Sequence, residues 1–503
     1  MKRLTSPLLA LAFGIAIAGA TAALAPAEAK DRITIDLVNE PSSLDPHGQW
    51  NPDSYYVYRN IFDNLVTRDD EGTIVPQLAT AWTQLSDTEV EFTLRDDVTF
   101  HDGTSLTAAD VVYSVERITD PEFGSPQLGQ FNKIVKAEAT GDHTVVLTTD
   151  GPYPVLLAQL VKLSVVPEHV VEEVGDDAFN LSPVGSGPYQ FDEWRRGVSV
   201  SLTRNDAYWG DAGPFATALF RAVPDASTRM ADLQAGTADL VVSLDSDHAG
   251  QLEATPGVKP LVAQTERVAF LGLNTMKPPF DNADLRKAVA YAIDKDGIVE
   301  GILAGGEEVV GELIAPGSFG WVDGIEPYPY DPDKAKELIE AAGATGTEVV
   351  FDTSPVYDQR IVQAVQQMLA DAGFDAKISL TDMSTYLGKA RSPEVTDRPQ
   401  ISFGRWSCAC QDADGIMYPL LHSSSSWSRY QNPEMDALLD EGRSSLDDAT
   451  RLAAYEKAHH IAKDEVAILP LYQAAVIYGA REGLAWQPTA NESLFLNRMG
   501  WQD

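Results

Sequence analysis

The stretch from Gly72 to Ser114 constrains the fold more than any other part of this chain, because it sets turn, strand and capped helix in a fixed order. Val90, Phe92 and Leu94 alternate with polar residues, the period-two pattern of a strand with one buried face. His101-Asp102-Gly103-Thr104 is a turn, and His101 serves it. Thr107 caps the helix that follows, which carries Val111, Val112 and Val115. Asp110 stands in its first turn, at the positive end of the helix dipole. Downstream, Pro183–Tyr189 holds two glycines around a serine. No Lys-Ser/Thr pair follows and the spacing fits neither phosphate-binding pattern, so this segment is a structural turn.

The rest of the chain continues in the same alternation. Ile33, Ile35 and Leu37 open a strand, and a turn over Glu40–His47 leads to aromatics at Trp50, Tyr55, Tyr56 and Tyr58 with helical spacing. Thr144–Thr149 and Val198, Val200 and Leu202 read as strands. Leu285, Val289, Ala292 and Ile293 lie on one helical face. Asp331-Pro332 starts a further helix and Gly343 ends it. Val349–Phe351 is a strand, Ile361 to Ala372 a helical stripe closed by Gly373, and Ala376, Ile378 and Leu380 a strand again. Helix and strand in that order predict α/β lobes with crossover helices.

Lys2 and Arg3, an apolar run from Leu8 to Leu24 and Ala27-Glu28-Ala29 describe a secretory signal peptide, cleaved before Lys30. No cysteine stands at the cleavage point, so no lipid anchor is expected. No later segment reaches the roughly 20 apolar residues that span a bilayer. The mature chain of about 470 residues exceeds one hydrophobic core and predicts two or three domains. The net charge of −38 argues against nucleic acid and anionic membranes as partners. An acidic surface of this kind is a solubility device that suits a salty medium.

Read together, GTIVPQLATAWTQLSDTEVEFTLRDDVTFHDGTSLTAADVVYS, the loop PVGSGPYQFDEW, the SLDPH turn at Ser43–His47 and the segment Asn205–Gly210 resemble the large solute-binding proteins of bacterial ABC importers, the peptide-, dipeptide- and oligopeptide-binding family 5. The resemblance implies a two-lobed periplasmic binding protein of the α/β, type II, Venus-flytrap class, with an extra subdomain inserted in the first lobe. It places residues 30–66, 182–272 and 473–503 in lobe I, 67–181 in the inserted subdomain and 273–472 in lobe II. It implies a monomeric periplasmic carrier rather than an enzyme. Such a carrier uses no cofactor, and its partners are a small-molecule ligand and the permease and ATPase subunits of the importer. In agreement, the sequence holds no Gly-x-Ser-x-Gly elbow, no His-Glu-x-x-His and no P-loop. Ser423–Ser426 is a polar loop without a base to activate it.

By the same resemblance the ligand segment is Ile401–Asp414, with contacts expected from Phe403, Arg405, Trp406, Ser407, Cys408, Ala409, Cys410 and Asp412, and from Trp50, Asn51, Tyr55 and Trp427. Three residues after the tryptophan, peptide-binding relatives carry an Asp that holds the ligand's α-ammonium; this chain has Ala409. An ammonium buried without a counter-charge costs several kcal/mol. Either Asp412 or Asp414 replaces that Asp from a shifted position, or the ligand has no α-amino group. The second reading is preferred, because both acids equally suit capping the next helix. Pro52 removes a main-chain donor from the other segment expected to pair with an extended ligand. The aromatics suit sugar rings or other flat faces as well as the core, and Arg405 suits a carboxylate or phosphate. An oligosaccharide or an opine-like solute is therefore an alternative ligand. Cys408 and Cys410 face the same side of an extended segment and are expected to join in an oxidising compartment. The other reading is a soft-metal site of both thiolates with His422, belonging to a metal-chelate binder or sensor. His459 and His460 are neighbours on a helix and face different ways, so they form no chelating pair.

Overall fold

A computed structural model describes residues 31–49, 51–408 and 410–502. The signal-peptide reading of residues 1–29, and the contacts expected of Trp50 and Ala409, lie outside the described residues. No helix among the described residues is long and apolar enough to cross a membrane.

Two long strands, Val258–Leu273 and Ile468–Arg481, organise the molecule. They run antiparallel through the middle of an eleven-stranded sheet and each takes part in two different halves of it. On one side Leu240–Leu244, Arg32–Leu37, Thr217–Ala222, Ser199–Arg204 and Tyr189–Arg195 follow in order; on the other, Ile401–Trp406, Glu348–Thr353 and Asp375–Leu380. The register between the long strands shifts between Gln264, opposite Ala475, and Val268, opposite Gln473. A register break in two paired strands is where a sheet bends most readily. The two strands are shared by both halves of the sheet on either side of this shift.

Each half has its own core. Ile33, Ile35, Tyr56, Tyr58, Tyr189 and Phe220 lie in the first, and Leu271, Val289, Ile339, Phe351, Val365 and Leu469 in the second. A third core belongs to a four-stranded antiparallel sheet, Ala79–Ser86, Glu89–Leu94, Thr144–Thr149 and Ile134–Gly141, covered by the helix Ala108–Thr119. The strand alternation and the cap were legible. Thr107 N donates to the Asp110 carboxylate at 2.9 Å, as the cap reading requires. The two helices Glu168–Val174 and Asp176–Leu181 pack differently from expectation: their Val171 and Phe179 are buried in the first-lobe core, not that of the inserted sheet.

Three of the four motifs quoted for the family resemblance meet at Asp63. Its carboxylate accepts from Gln77 at 2.7 Å, Tyr208 at 3.0 Å, Ser186 at 3.1 Å and Trp209 at 3.1 Å. Burial pushes Asp63 up to about 6, against the pull of the Trp209, Tyr208 and Ser186 donors. The glycine pair is explained by contact: a Cβ on Gly187 would stand 2.6 Å from the Ile61 carbonyl carbon, and one on Gly185 would strike the same carbonyl. Gly187 N donates to that oxygen at 2.8 Å. The turn reading of Pro183–Tyr189 stands on this packing.

Candidate functional site

The strand Ile401–Trp406 ends at the boundary between the halves, and the segment Arg405–Cys408 continues into it. Four cavities adjoin this short run, three of them with walls from both sides of the boundary. One of about 520 Å³ lies between Ser243–Ser246 of the first half and Glu307, Tyr357, Phe403, Arg405 and Tyr472 of the second. A second of about 520 Å³ lies between Tyr153, Gln159 and Lys162 of the inserted subdomain and Trp406, Tyr418 and Trp427. A third, about 70 Å³, is enclosed by Asn51, Tyr55, Glu266, Glu492, Ser407 and Cys408. A further cavity of about 110 Å³ sits inside the second half, bordered by Trp406 and Trp427.

Trp406 and Trp427 meet edge to face at 5.2 Å, and the Trp406 indole N–H donates to Gly415 O at 3.0 Å. Both rings are half-buried, with surface left on the cavity. Arg405 is exposed to its cavity, and no carboxylate among the described residues pairs with it. Its guanidinium lies 6.0 Å from the Tyr357 ring. Burial lifts the neighbouring Glu307 to about 7, against the pull of Arg405. Phe403 is buried and packs edge to face on Tyr357 at 5.1 Å.

Cys408 and Cys410 are joined in a disulfide, as expected, which leaves neither a thiolate for the metal reading. His422, its third expected member, stacks on Tyr418 at 4.2 Å and bonds Ser424 Oγ through Nδ1 at 2.7 Å. Across the boundary, Lys162 Nζ donates to the Cys408 carbonyl at 3.3 Å and Arg68 to the Cys410 carbonyl at 2.5 Å. Cys410 itself is fully buried against Val155 and Ala158 of the inserted subdomain. The disulfide packs so closely on Gly415 that a Cβ there would overlap the Cys408 sulfur and stand 2.7 Å from that of Cys410.

Three of the expected contact residues have partners within the protein. Asp412 is held by Arg451, whose Nη2 reaches both carboxylate oxygens at 2.8 Å, and neither side chain is more than 6% exposed. It borders an outer groove with Cys410 and Trp321, away from the cavities at Trp406, so it has no oxygen to offer a ligand there. Asn51 borders the 70 Å³ cavity, but its side chain caps the helix Pro52–Tyr58, accepting from Ser54 N at 2.9 Å and donating to Ser42 Oγ at 2.7 Å. Pro52 is the first residue of that helix, where the missing N–H is one the helix does not use. Tyr55 points its hydroxyl at Ser493, 2.6 Å away. Asp414 does border the cavity under Trp406, paired with Arg443 at 3.2 Å, and burial lifts it to about 6. Lys162, Arg443, Tyr153, Tyr418 and Tyr357 were not read from the sequence as site residues. Tyr418 and Arg443 lie on two helices and the other three in connecting segments, and none sits in a motif.

These are the features of a binding cleft between hinged halves, and comparison with known proteins agrees. The model of the bacterial extracellular solute-binding proteins, family 5 (middle), matches residues 73–428, more than half of the chain. The chain belongs to this family. Heme-binding protein A of Haemophilus influenzae is 29% identical over 458 residues, covering 84% of this chain and 82% of that protein. Glutathione-binding protein GsiB of Escherichia coli K12 is 28% identical over 464 residues, covering 88% and 89%. The periplasmic binding protein DppA of Helicobacter pylori, solved in complex with the peptide STSA, superposes with a TM-score of 0.81 at 26% identity, covering 94% and 99%. The present family 5 protein is thus the substrate-binding component of an ABC importer with the two-lobed α/β fold. Its relatives are binding proteins, not enzymes; proteins of the family are periplasmic and work with a permease and an ATPase.

Proposed function

We propose that this protein is exported by cleavage after Ala29, acts as a monomer, and closes its two lobes on an extended, peptide-like solute that lies along Arg405–Cys408. The observation that carries the reading is that this one run borders three cavities whose other walls come from the opposite side of the chain. A solute bridging those walls stabilises the closed form by its differential contacts, and closure is the signal a transporter can read. Arg405 is the anchor for a carboxylate or phosphate at the outer end of the solute, because a planar guanidinium with no carboxylate bonded to it among the described residues suits a bidentate anion. At the inner end the solute carries no α-ammonium of the usual kind. Position 409 is alanine, and Asp412 is committed to Arg451.

The aromatic faces of Trp406, Trp427, Tyr418 and Tyr153 around the inner cavity favour a second reading, an oligosaccharide or opine-like solute. A thermal-shift screen of dipeptides, blocked dipeptides, opines and oligosaccharides separates the two. Arg405→Ala is expected to weaken the best ligand at least ~10-fold, the loss of one charge-assisted bond, without lowering the melting temperature of the ligand-free protein. Unchanged affinity in that variant would remove the anchor role.

A further inference from the structure

The outer cavity between the halves holds two opposite charges that do not bond each other. Its charged lining is Asp245, Glu307, Asp358, Arg360 and Arg405. Asp358 pairs with Arg360 at 2.7 Å and Asp245 with His248 at 2.7 Å, while Glu307 and Arg405 stand in no ion pair among the described residues. Main-chain pairing sets them apart. Arg405 lies opposite Ala269, Ala269 opposite Tyr472, and Tyr472 opposite Val309, one row across the sheet. Three strand spacings put the backbones of Arg405 and Val309 roughly 14 Å from each other. Glu307 precedes the short strand Glu308–Val309 at the far end of that row, and Gln264 fixes the chain just ahead of it by donating to Gly306 O at 2.7 Å. Tyr472 stands between, and both charges act on its hydroxyl. Glu307 is half-buried and Arg405 exposed, so each faces the cavity from its own side.

On the reading of the cleft as the ligand site, we infer that this cavity receives a zwitterionic group of the solute, its free ammonium at Glu307 and its free carboxylate at Arg405. Glu307 thereby takes the ammonium for which position 409, an alanine, has no charge. A zwitterion matches both charges at once, whereas a solute of one sign faces a like charge on one side of the cavity. Tyr357, Phe403 and Tyr472 supply apolar surface between the two. The same pair of groups comes from two sources: one carbon of an amino acid linked through its side chain, or the two ends of a short peptide. The site also carries a pH signature. Burial lifts the Glu307 carboxyl to about 7, against the pull of main-chain groups of its own residue and Ala475 and of Arg405. The other titratable and charged groups around it are the paired Asp245 and Asp358, Arg360, Tyr357 and Tyr472. An ammonium favours the ionised carboxylate, so its binding releases a proton there. Affinity is full above pH 7 and is lost as pH falls below it.

The test is calorimetric titration of the full-length mature protein with Nε-acetyl-lysine, which bears both charges on one carbon, and with Ala-Ala, which bears them at its two ends. Each is compared with its N-acetyl and its C-amide form. One of the two free probes is expected to bind at least ~10-fold more tightly than either of its blocked forms, since each block removes one charge-assisted bond. Which probe responds identifies the source. Glu307→Gln should erase the gap between free and N-acetyl probe and keep the gap between acid and amide; Arg405→Ala should do the reverse. From pH 7.5 to 5 the advantage of the free probe over its N-acetyl form should shrink at least ~10-fold. An N-acetyl form that binds as well as the free probe overturns the assignment, as does a free-amine preference that persists in Glu307→Gln. Should that variant fail to fold, the wild-type pH profile decides alone: a ratio flat from pH 7.5 to 5 overturns the role of Glu307. If Arg405→Ala weakens binding while Glu307→Gln and N-acetylation leave it unchanged, the cleft reading stands and the ammonium site falls. If no probe produces heat, both fall.

Discussion

Replacing Arg451 by Met should destabilise the protein by about 3–5 kcal/mol, the cost of leaving one charge of a buried pair uncompensated. The structure sets this magnitude. Arg451 Nη2 lies 2.8 Å from both oxygens of Asp412, and the two side chains are 3% and 6% exposed. The same guanidinium donates through Nε to Gly442 O at 2.8 Å and lies 4.1 Å from the Phe319 ring, so the aliphatic Met fills part of a packed site. Burial lifts Asp412 above the usual carboxylate range even with Arg451 in place. The desolvation cost is thus not fully recovered by the pair, and the double variant Asp412→Leu/Arg451→Met should fall short of the summed single losses by up to ~3 kcal/mol. Urea unfolding of the two single variants and the double variant measures the coupling. Ligand titration of Asp412→Asn completes the cycle. If Asp412 serves the fold, this variant loses stability and keeps its affinity for ligand. Unchanged stability with lost affinity would refute the reasoning and restore Asp412 to the ligand set.

Two other outcomes follow from the site and the inserted subdomain. The disulfide holds the Cys408 and Cys410 carbonyls to Lys162 and Arg68; reduction by a dithiol, or Cys408→Ser/Cys410→Ser, should cost about one charge-assisted bond of closure, roughly 1.5–3 kcal/mol, or about ten- to hundredfold in affinity. Equal ligand dissociation rates in oxidised and reduced protein would count against this. His101 accepts from Gly185 N at 3.3 Å, contacts Gly187 O through Nε2 at 3.0 Å, and is brought down by burial to about 4. A depressed histidine is neutral in the fold and takes up its proton on unfolding. Its contribution is complete above pH 6.5 and is lost as pH falls toward 4. The stability advantage of wild type over His101→Gln should accordingly shrink by about 3 kcal/mol between pH 7 and 4. A constant difference across that range would show that the ring titrates normally.

The local grammar was readable because it depends on neighbours a few residues apart. Alternation at Val90, Phe92 and Leu94 becomes the strand Glu89–Leu94, and Asp331-Pro332 caps and starts the helix Pro332–Ala341. The spacing of Tyr55, Tyr56 and Tyr58 becomes the helix Pro52–Tyr58. Asn51 and Asp412 were placed in the ligand set by position. Asn51-Pro52 carries the same cap-and-proline signal as Asp331-Pro332, whereas nothing local announces that Asp412 is spent on an arginine 39 residues downstream.

By itself, then, the chain determined its α/β class, its family and its two-halved plan, and it pointed to the run Arg405–Cys408 as the ligand segment, since each is written in short-range pattern or contiguous motif. Only the tertiary structure decided what that run faces. Lys162 reaches the Cys408 carbonyl across 246 residues of sequence, and a buried charge is costly or useful according to its neighbours in space.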